Sequence, residues 1–281
     1  MLKYLLGFII IVFMIIAYSL WSFNQKALRD IESLFSGVDA NGRVITEDML
    51  RDLPEPVQRW LIHSGVVGRE GIQTVYLKQT GKMKLNPEQK NWIKSEAEQA
   101  FNTIRPQFTW RVKTSMFGLP VVGRDDYANG KGSMLIKLAG LVPVVNLADN
   151  PKLSESTMQR FLGEIVWFPT AALSPYITWE AVDESSARAT MEYQGIKGSA
   201  LFYFNETGEP ARVIIPRYRD INDEEPTDWE ADIKKVERVN GIVVPVEVEA
   251  SWLTEEGKFI WYIFKVHDIS YNPQNIKSYH F

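Results

Sequence analysis

The sequence predicts a mainly β (α+β) protein in which a strongly curved antiparallel sheet or half-barrel of about 11 strands wraps around one helix, with an N-terminal transmembrane helix. Three observations lead to this prediction. Apolar and polar residues alternate with a period of two along most of the chain after residue 72. Short turns join these runs, so neighbouring strands must pair antiparallel. Between the two groups of strands, residues 154–169 show the spacing of an amphipathic helix.

The first 24 residues are predicted to form a transmembrane anchor. Residues 4–23 contain no charged side chain, and a helix of this length rises about 30 Å, the thickness of a bilayer core. Aromatic rings near both ends of the run are typical of a membrane interface, namely Tyr4, Tyr18, Trp21 and Phe23. The alternative is a cleaved signal peptide, with residues 17–19 as the best cleavage site.

The charges that flank this run favour an N-terminus inside the cell by a small margin. Lys3 and the terminal amine precede the run, and Lys26 and Arg29 follow it. The pattern predicts a single-pass protein of the cytoplasmic (inner) membrane that contacts the bilayer through residues 4–23 and has an extracytoplasmic soluble domain. The opposite orientation stays open.

Residues 25–53 are predicted to be a linker with short helical pieces. Gly37, Asn41 and Gly42 indicate a turn, and Thr46 begins a short helical segment. A helix with prolines in its first turn follows at residues 54–64, and we expect its Trp60 side to pack on the sheet. Residues 54–272 are predicted to form one curved-sheet domain, and residues 273–281 a tail.

Strand patterns occupy most of this domain. The predicted strands before the central helix are 72–85, 91–101, 107–117, 121–128 and 131–139, and those after it are 177–182, 187–194, 197–205, 211–219, 229–239, 243–253 and 258–269. Asn129-Gly130 predicts a two-residue hairpin. Residues 140–146 are apolar but contain Pro143, and we expect a loop there. A sheet of this many strands accumulates twist, so it is expected to curl around the helix.

The central helix is predicted to begin at Ser154, whose hydroxyl can accept a hydrogen bond from a free backbone N–H. Pro169 is expected to end it. Five apolar residues share one face of this helix: Met158, Phe161, Leu162, Ile165 and Phe168. This face must be buried against the sheet, and the space between helix and sheet is the predicted functional site.

Composition excludes several classes of function. A net charge of −4 and a pI near 5.6 argue against nucleic acid as a partner, because phosphate binding needs a concentrated basic face. The chain has no cysteine and three histidines without paired-ligand spacing, so no metal site is predicted. Nucleotide-binding glycine loops and the serine-hydrolase elbow are missing as well. No cofactor is expected.

Two groups of charged residues are candidates for chemistry. Arg124, Asp125 and Asp126 form the sharpest polar cluster, and they either orient a polar head group at a cavity rim or form salt bridges on an edge strand. Glu164 lies among apolar residues, so if buried it must be paired or neutral. Arg111, Arg124 and Arg217 are its predicted partners, and an exposed helix glutamate is the alternative. Glu164, Asp125 and Asp126 are weak candidates for a general acid or base.

The predicted ligand pocket is apolar. Its lining is Trp110, Met116, Met134, Phe161, Leu162, Trp167 and Phe168, with Arg124 at the rim. Ordinary core packing is the alternative for most of these side chains.

Several sequence blocks resemble the signature of an uncharacterised bacterial family of membrane-anchored domains. They are GRDDY at 123–127, GKGSM at 130–134, GLVPV at 140–144, VWFPT at 166–170, LPEPV at 53–57 and VNGIVVP at 239–245. The resemblance covers roughly residues 50–272. The strand layout is in turn similar to the LolA/LolB-like lipoprotein carriers, which implies an open half-barrel that holds acyl chains around a helix.

These observations predict a membrane-anchored domain that binds or transfers a lipid or lipid-modified molecule in the hollow of the sheet. One alternative is a hydrolase that uses the carboxylates in the same hollow. The other is a domain that docks a protein partner of the cell envelope, of unknown identity, at a sheet edge.

Overall fold

A computed structural model describes residues 2–36 and 42–273 of the chain. Residues 37–41 of the turn predicted at 36–43 and nearly all of the predicted tail lie outside these ranges. The helices are α1 (Leu2–Leu34), α2 (Glu55–Ser64) and α3 (Pro151–Glu164), with short 3₁₀ helices at Glu47–Leu50, Ile165–Trp167 and Pro169–Leu173. The strands are β1 (Thr74–Met83), β2 (Ile93–Asn102), β3 (Gln107–Met116), β4 (Leu119–Ala128), β5 (Lys131–Leu138), β6 (Val142–Ala148), β7 (Ile177–Asp183), β8 (Ser186–Tyr193), β9 (Ile196–Phe204), β10 (Pro210–Arg217), β11 (Thr227–Val239), β12 (Ile242–Thr254) and β13 (Gly257–Tyr271).

The strands form one curved, open antiparallel sheet, which confirms the predicted fold class. Its order is β6-β5-β4-β3-β2-β1-β13-β12-β11-β10-β9-β8-β7. The first and last strands therefore pair at the centre, with Gly81 opposite Phe264, while β6 and β7 form the two edges. We call β2–β6 the first limb and β8–β12 the second limb.

The sheet has 13 strands, more than the predicted number. The loop prediction for residues 140–146 was wrong, because Val142–Ala148 forms strand β6. Pro143 is tolerated there since β6 is an edge strand, where a missing backbone N–H costs no ladder bond.

Helix α1 continues from the apolar run into the domain. Phe23, Ala27, Ile31 and Leu34 are buried along one face of the helix, at the spacing expected for an amphipathic helix. Ile31 and Leu34 pack with Tyr76 and Ala100 on the convex face of the sheet. The N-terminal part of α1 is largely exposed.

Helix α2 covers one end of the sheet, as predicted from the apolar side of its sequence. Trp60 is almost fully buried, and its ring lies 6.1 Å from that of Phe202 and 5.7 Å from that of Phe204. Aromatic contacts of this kind contribute beyond the area they bury, so α2 is part of the core.

The predicted bounds of the central helix were wrong at both ends. Asn150 is the N-cap, its side chain accepts a hydrogen bond from the Leu153 N–H at 3.1 Å, and Pro151 follows at the first helical position. Ser154 lies one turn inside the helix and accepts instead from the Gly132 N–H at 3.1 Å. The helix ends at Glu164, and 3₁₀ turns replace it before and after Pro169.

Helix α3 crosses the concave face and contacts both limbs, β4 and β5 on one side and β8 to β10 on the other. Met158, Phe161 and Ile165 are fully buried. Glycine permits this close approach on both sides. A Cβ at Gly132 would lie 2.5 Å from Thr157 Oγ1, and a Cβ at Gly198 would lie 2.6 Å from Gln159 Cγ. The sheet thus wraps around the helix.

Candidate functional site

The half of the concave face next to α3 is a packed core. The ring of Phe101 lies 4.6 Å from that of Phe168 and 6.3 Å from that of Phe161. Phe161, Leu162 and Phe168 have no exposed surface, and Trp167 is buried. The prediction that these four side chains line a hollow between helix and sheet was therefore wrong, because the 3₁₀ turns after α3 bring additional apolar residues into that space.

The other half of the concave face extends beyond α3 towards the β3–β4 and β5–β6 turns. We call it the trough. In the first limb Gly123 pairs with Val112 and Ile136, on the same face as Asp125. In the second limb Trp229 pairs with Trp252. Most of these apolar side chains are half-buried, in contrast to those beneath α3. The trough is lined by Trp110, Val112, Met116, Val121, Met134, Ile136, Leu138, Trp229 and Trp252.

Of the predicted pocket residues, the structure thus places Trp110, Met116 and Met134 on the trough. Register explains this result, since Trp110, Asp125 and Met134 are cross-strand neighbours. Side chains that alternate along a strand share a face, so the predicted members of β3 to β5 stay together while the helix residues face the core.

Four charged side chains form the floor of the trough. Arg160 of α3 donates to Asp125 at 2.8 Å and to Glu164 at 2.9 Å. Gln99 donates to the other oxygen of Glu164 at 2.7 Å. The Arg160 guanidinium also lies 4.9 Å from the centre of the Trp110 ring, a cation–π distance. We call Asp125, Arg160, Glu164 and Arg217 the charge quartet, whose formal charges sum to zero.

Burial controls the protonation of this quartet. It raises the pKa of the Asp125 carboxyl, against the opposing effect of the Arg160 and Arg217 charges. Burial likewise raises the pKa of Glu164, with Arg160 as the main opposing charge. It lowers the pKa of Arg217 to about 10. Desolvation favours the neutral form of each group. The four groups keep their charges because opposite charges lie next to one another.

Arg217 differs from Arg160 in its hydrogen bonding. Its Nε–H donates to the Ser156 carbonyl at 3.0 Å, and its guanidinium lies 5.4 Å from the centre of the Trp229 ring. In the part of the chain that the structure describes, Nε–H is the one donor of Arg217 with a hydrogen-bond partner. The planar fork of an arginine fits a carboxylate or a phosphate, so Arg217 can bind an acidic group that enters the trough.

Arg124 and Asp126 lie on the opposite, convex face of the sheet. Arg124 pairs with Asp126 at 2.8 Å and with Asp30 of α1 at 2.5 Å. The sequence GRDDY therefore splits by strand alternation: Asp125 faces the trough, while its two neighbours attach α1. Arg124 is not at the rim of the trough, and neither it nor Arg111, which pairs with Glu98 on the convex face, is a partner of Glu164.

Sequence reasoning missed the central member of the quartet, Arg160. Its partner Glu164 is four residues later in the same helix, and this spacing is a recognised signal for an ion pair. Asp125 could not be paired with Arg160 from sequence, because the two are 35 residues apart. Among the described residues, no group of three or more His, Asp or Glu side chains is arranged to hold a metal ion.

A depression of about 530 Å³ lies away from the trough, at the end of the sheet that carries α2. Its lining includes Val66, Arg69, Ile242 and Tyr271. We do not assign it to the site, because it contains neither the buried charges nor the aromatic lining of the trough.

The fold and site define a class: a mainly β protein whose open, curved antiparallel sheet encloses one helix and is preceded by a long apolar helix. That helix is long and apolar enough to cross a membrane, although a signal sequence shares these properties. Residues 51–271 match the sequence model of a family of unknown function, DUF6920. The chain belongs to this family.

Comparison with solved structures gives a further likeness. A solved structure of a LolA superfamily protein from Nitrosomonas europaea covers 80% of this chain and 97% of its own, at 8% identity and a TM-score of 0.43. No curated protein sequence matches the chain. The family match confirms the expected resemblance to an uncharacterised family. The likeness to the LolA superfamily structure does not indicate a shared ligand.

Proposed function

We propose that this chain is a single-pass membrane protein whose domain binds or transfers an apolar ligand, a lipid or a lipid-modified molecule, in the trough. The observation that carries the proposal is the contrast between the two halves of the concave face. Beneath α3 the aromatic side chains are fully packed, whereas beyond α3 most of the apolar side chains on the two limbs are half-buried. Concave, mostly apolar surfaces with few polar groups are typical ligand sites.

The charge quartet indicates that the apolar ligand also carries an acidic group. Asp125 and Glu164 both form ion pairs with Arg160. The terminal N–H groups of Arg217 have no hydrogen-bond acceptor within the part of the chain that the structure describes. An acyl chain would lie along Ile136, Leu138 and Trp252, and an acidic head group would reach Arg217. A single lipid offers both chemistries.

The packing of α1 supports an uncleaved anchor. Its buried stripe from Phe23 to Leu34 and the ion pair of Asp30 with Arg124 make the second half of the helix part of the domain. A continuous helix therefore joins the apolar run to the sheet without a flexible joint. Ser19, at the predicted signal-peptidase site, donates its hydroxyl to the Gly140 carbonyl at 2.5 Å.

The same geometry favours binding over hydrolysis. Asp125 and Glu164 accept hydrogen bonds from one guanidinium, an arrangement that holds both carboxylates in ion pairs with the same cation. A general acid or base must be free to exchange a proton with the substrate. Activity on ester or glycoside substrates that is lost in Glu164→Gln or Asp125→Asn would support the hydrolase instead.

The proposal that the trough binds a lipid is tested by replacing Ile136 with glutamate, which places a charge on the trough wall. We expect the full chain, purified in detergent, to carry one lipid class in excess, and Ile136→Glu to lose that excess. The anchor binds bulk lipid equally in both proteins, so the difference measured by mass spectrometry reports the trough. Ile62→Glu, at an exposed position of α2, is the matched control. Identical lipid profiles in all three proteins would rule out the trough as a lipid site.

Orientation is tested with single cysteines, because the chain has none of its own. We expect a membrane-impermeant maleimide to label Glu206→Cys, an exposed position of the domain, in intact spheroplasts. Lys3→Cys should be labelled only after lysis. The reverse pattern would place the domain in the cytoplasm, and labelling of neither position before lysis would contradict a single span.

A further inference from the structure

Two turns at one end of the first limb are exposed and apolar. They are residues 117–119, the β3–β4 turn with the first residue of β4, and residues 139–144, the β5–β6 turn with the start of β6; we call them the rim turns. Phe117 is 96% exposed. No charged residue occurs from 138 to 148 or from 114 to 123. Isolated exposed apolar residues are ordinary on a protein surface, but two adjacent turns without a charge form a patch.

The backbone of these turns is unusual for the residues they contain. Five hairpin turns have two successive residues with positive φ, and Asn129-Gly130 and Asn240-Gly241 use the asparagine that suits this conformation. At the corresponding position of the β3–β4 turn stands Phe117, with φ of 51°. A bulky side chain is rare and unfavourable there. Phe117 therefore makes the turn less stable than asparagine would, and folding of the hairpin does not explain its presence.

The rim turns lie against the apolar run of α1. The Gly140 carbonyl accepts a hydrogen bond from Ser19 Oγ. A Cβ at Gly140 would lie 2.9 Å from Leu20 Cδ2 and 3.1 Å from the Leu20 backbone nitrogen. The β3–β4 turn joins the same patch, because the Ala139 N–H donates to the Pro120 carbonyl at 2.7 Å.

Helix geometry sets the depth of this contact. The apolar run ends at Phe23, and Leu20 is three residues earlier, so it lies about 4.5 Å further into the apolar phase. Tyr18 and Trp21, whose rings are 5.9 Å apart, mark the same level with the aromatic residues typical of an interface. A turn that touches Leu20 therefore lies at the boundary between the lipid head groups and the acyl chains.

We propose that the rim turns insert into the bilayer interface beside α1, so that the mouth of the trough opens onto lipid rather than water. The occupant of this apolar patch is the bilayer that contains α1. The inference rests on the membrane span in the proposed function. The rim turns form the first-limb end of the trough, through Met116 and Leu138, so a lipid could pass from the bilayer into the trough without crossing water.

The test places a polarity-sensitive fluorophore on single cysteines in the full chain, reconstituted into vesicles of phosphatidylethanolamine and phosphatidylglycerol. The positions are Phe117→Cys, Val12→Cys within the apolar run, and Glu206→Cys on the turn at the opposite end of the sheet. We expect blue-shifted emission and loss of emission with a spin-labelled acyl chain at positions 117 and 12, and neither effect at 206.

The outcomes separate the inference from the proposed function. A lipid-like signal at position 12 with a water-like signal at 117 overturns the inference and leaves the span intact. Water-like signals at both positions overturn both. In a second measurement, Phe117→Asn should raise the unfolding temperature in detergent and slow the transfer of a fluorescent lipid from vesicles to the protein. A lower unfolding temperature, or unchanged transfer, would contradict a role for Phe117 at the membrane.

Discussion

Replacing Arg160 with leucine is expected to lower the free energy of unfolding by about 3–5 kcal/mol at neutral pH, because it leaves two buried carboxylates without their shared partner. The side chains of Arg160, Asp125 and Glu164 are only 10–16% exposed. Arg160 also loses its contacts with Phe108 and Trp110. Chemical denaturation of the full chain in detergent measures the change.

The pH dependence of this loss has a defined sign. Burial raises the pKa of Asp125 and of Glu164 in the folded state, and removal of Arg160 raises both pKa values further. A carboxyl group with a raised folded pKa leaves the fold most stable below its unfolded pKa, and stability falls as pH rises through the folded value. The cost of Arg160→Leu should therefore shrink as pH falls towards the ordinary carboxyl range.

Two further variants make the result specific. Arg51→Ala removes an exposed ion pair with Asp48, and we expect it to cost less than about 1 kcal/mol. Combining Arg160→Leu with Glu164→Gln should recover part of the lost stability, since the remaining Asp125 charge is then matched by that of Arg217. If Arg160→Leu costs no more than Arg51→Ala at neutral pH, the quartet is not a buried charge cluster.

A valine at Gly132 is expected to destabilise the domain by about 1–3 kcal/mol or more, as overpacking does in a close-packed core. The new Cβ would lie 2.5 Å from Thr157 Oγ1 and 2.9 Å from the Leu153 carbonyl oxygen. Because the second of these atoms is backbone, α3 itself must move away from β5. The Gly132 N–H would then lose its hydrogen bond to Ser154.

Two other glycines provide controls for this prediction. Gly71→Ala places its Cβ 3.5 Å from the nearest atom, an ordinary contact, and should have little effect on unfolding. Gly163→Ala meets the end of the flexible Ile215 side chain and should cost less than Gly132→Val. Equal unfolding temperatures for Gly132→Val and Gly71→Ala would show that α3 is not held against β5 by close packing.

Local patterns were sufficient to predict most of the strands. Alternation of apolar residues and the turn pair Asn129-Gly130 predicted the β4–β5 hairpin, because a two-residue turn allows only an antiparallel partner. The pattern was insufficient at β6, where Pro143 suggested a loop. Whether a proline interrupts a ladder depends on whether the strand lies at an edge, and the edges are determined by the order of strands in space.

The candidate site shows the same division. Trp110, Asp125 and Met134 lie together because the two hairpins place them opposite one another on neighbouring strands. Strand alternation then puts all three on the same face of the sheet. The ion pair of Arg160 with Glu164 was available from helical spacing, but the approach of Asp125 was not. That contact requires α3 to cross the concave face, and the crossing depends on glycines whose neighbours come from distant parts of the chain.

By itself, the sequence determined a long apolar helix, a mainly β domain with antiparallel neighbours and one amphipathic helix that must be buried, because these features depend on residues a few positions apart. Tertiary structure alone decided that β1 and β13 join at the centre of the sheet, that the open surface lies beyond α3, and that Arg124 faces α1 while Asp125 faces the trough. These three features depend on contacts between segments that are distant in sequence. The free energy of such contacts depends on how the whole sheet curves around the helix.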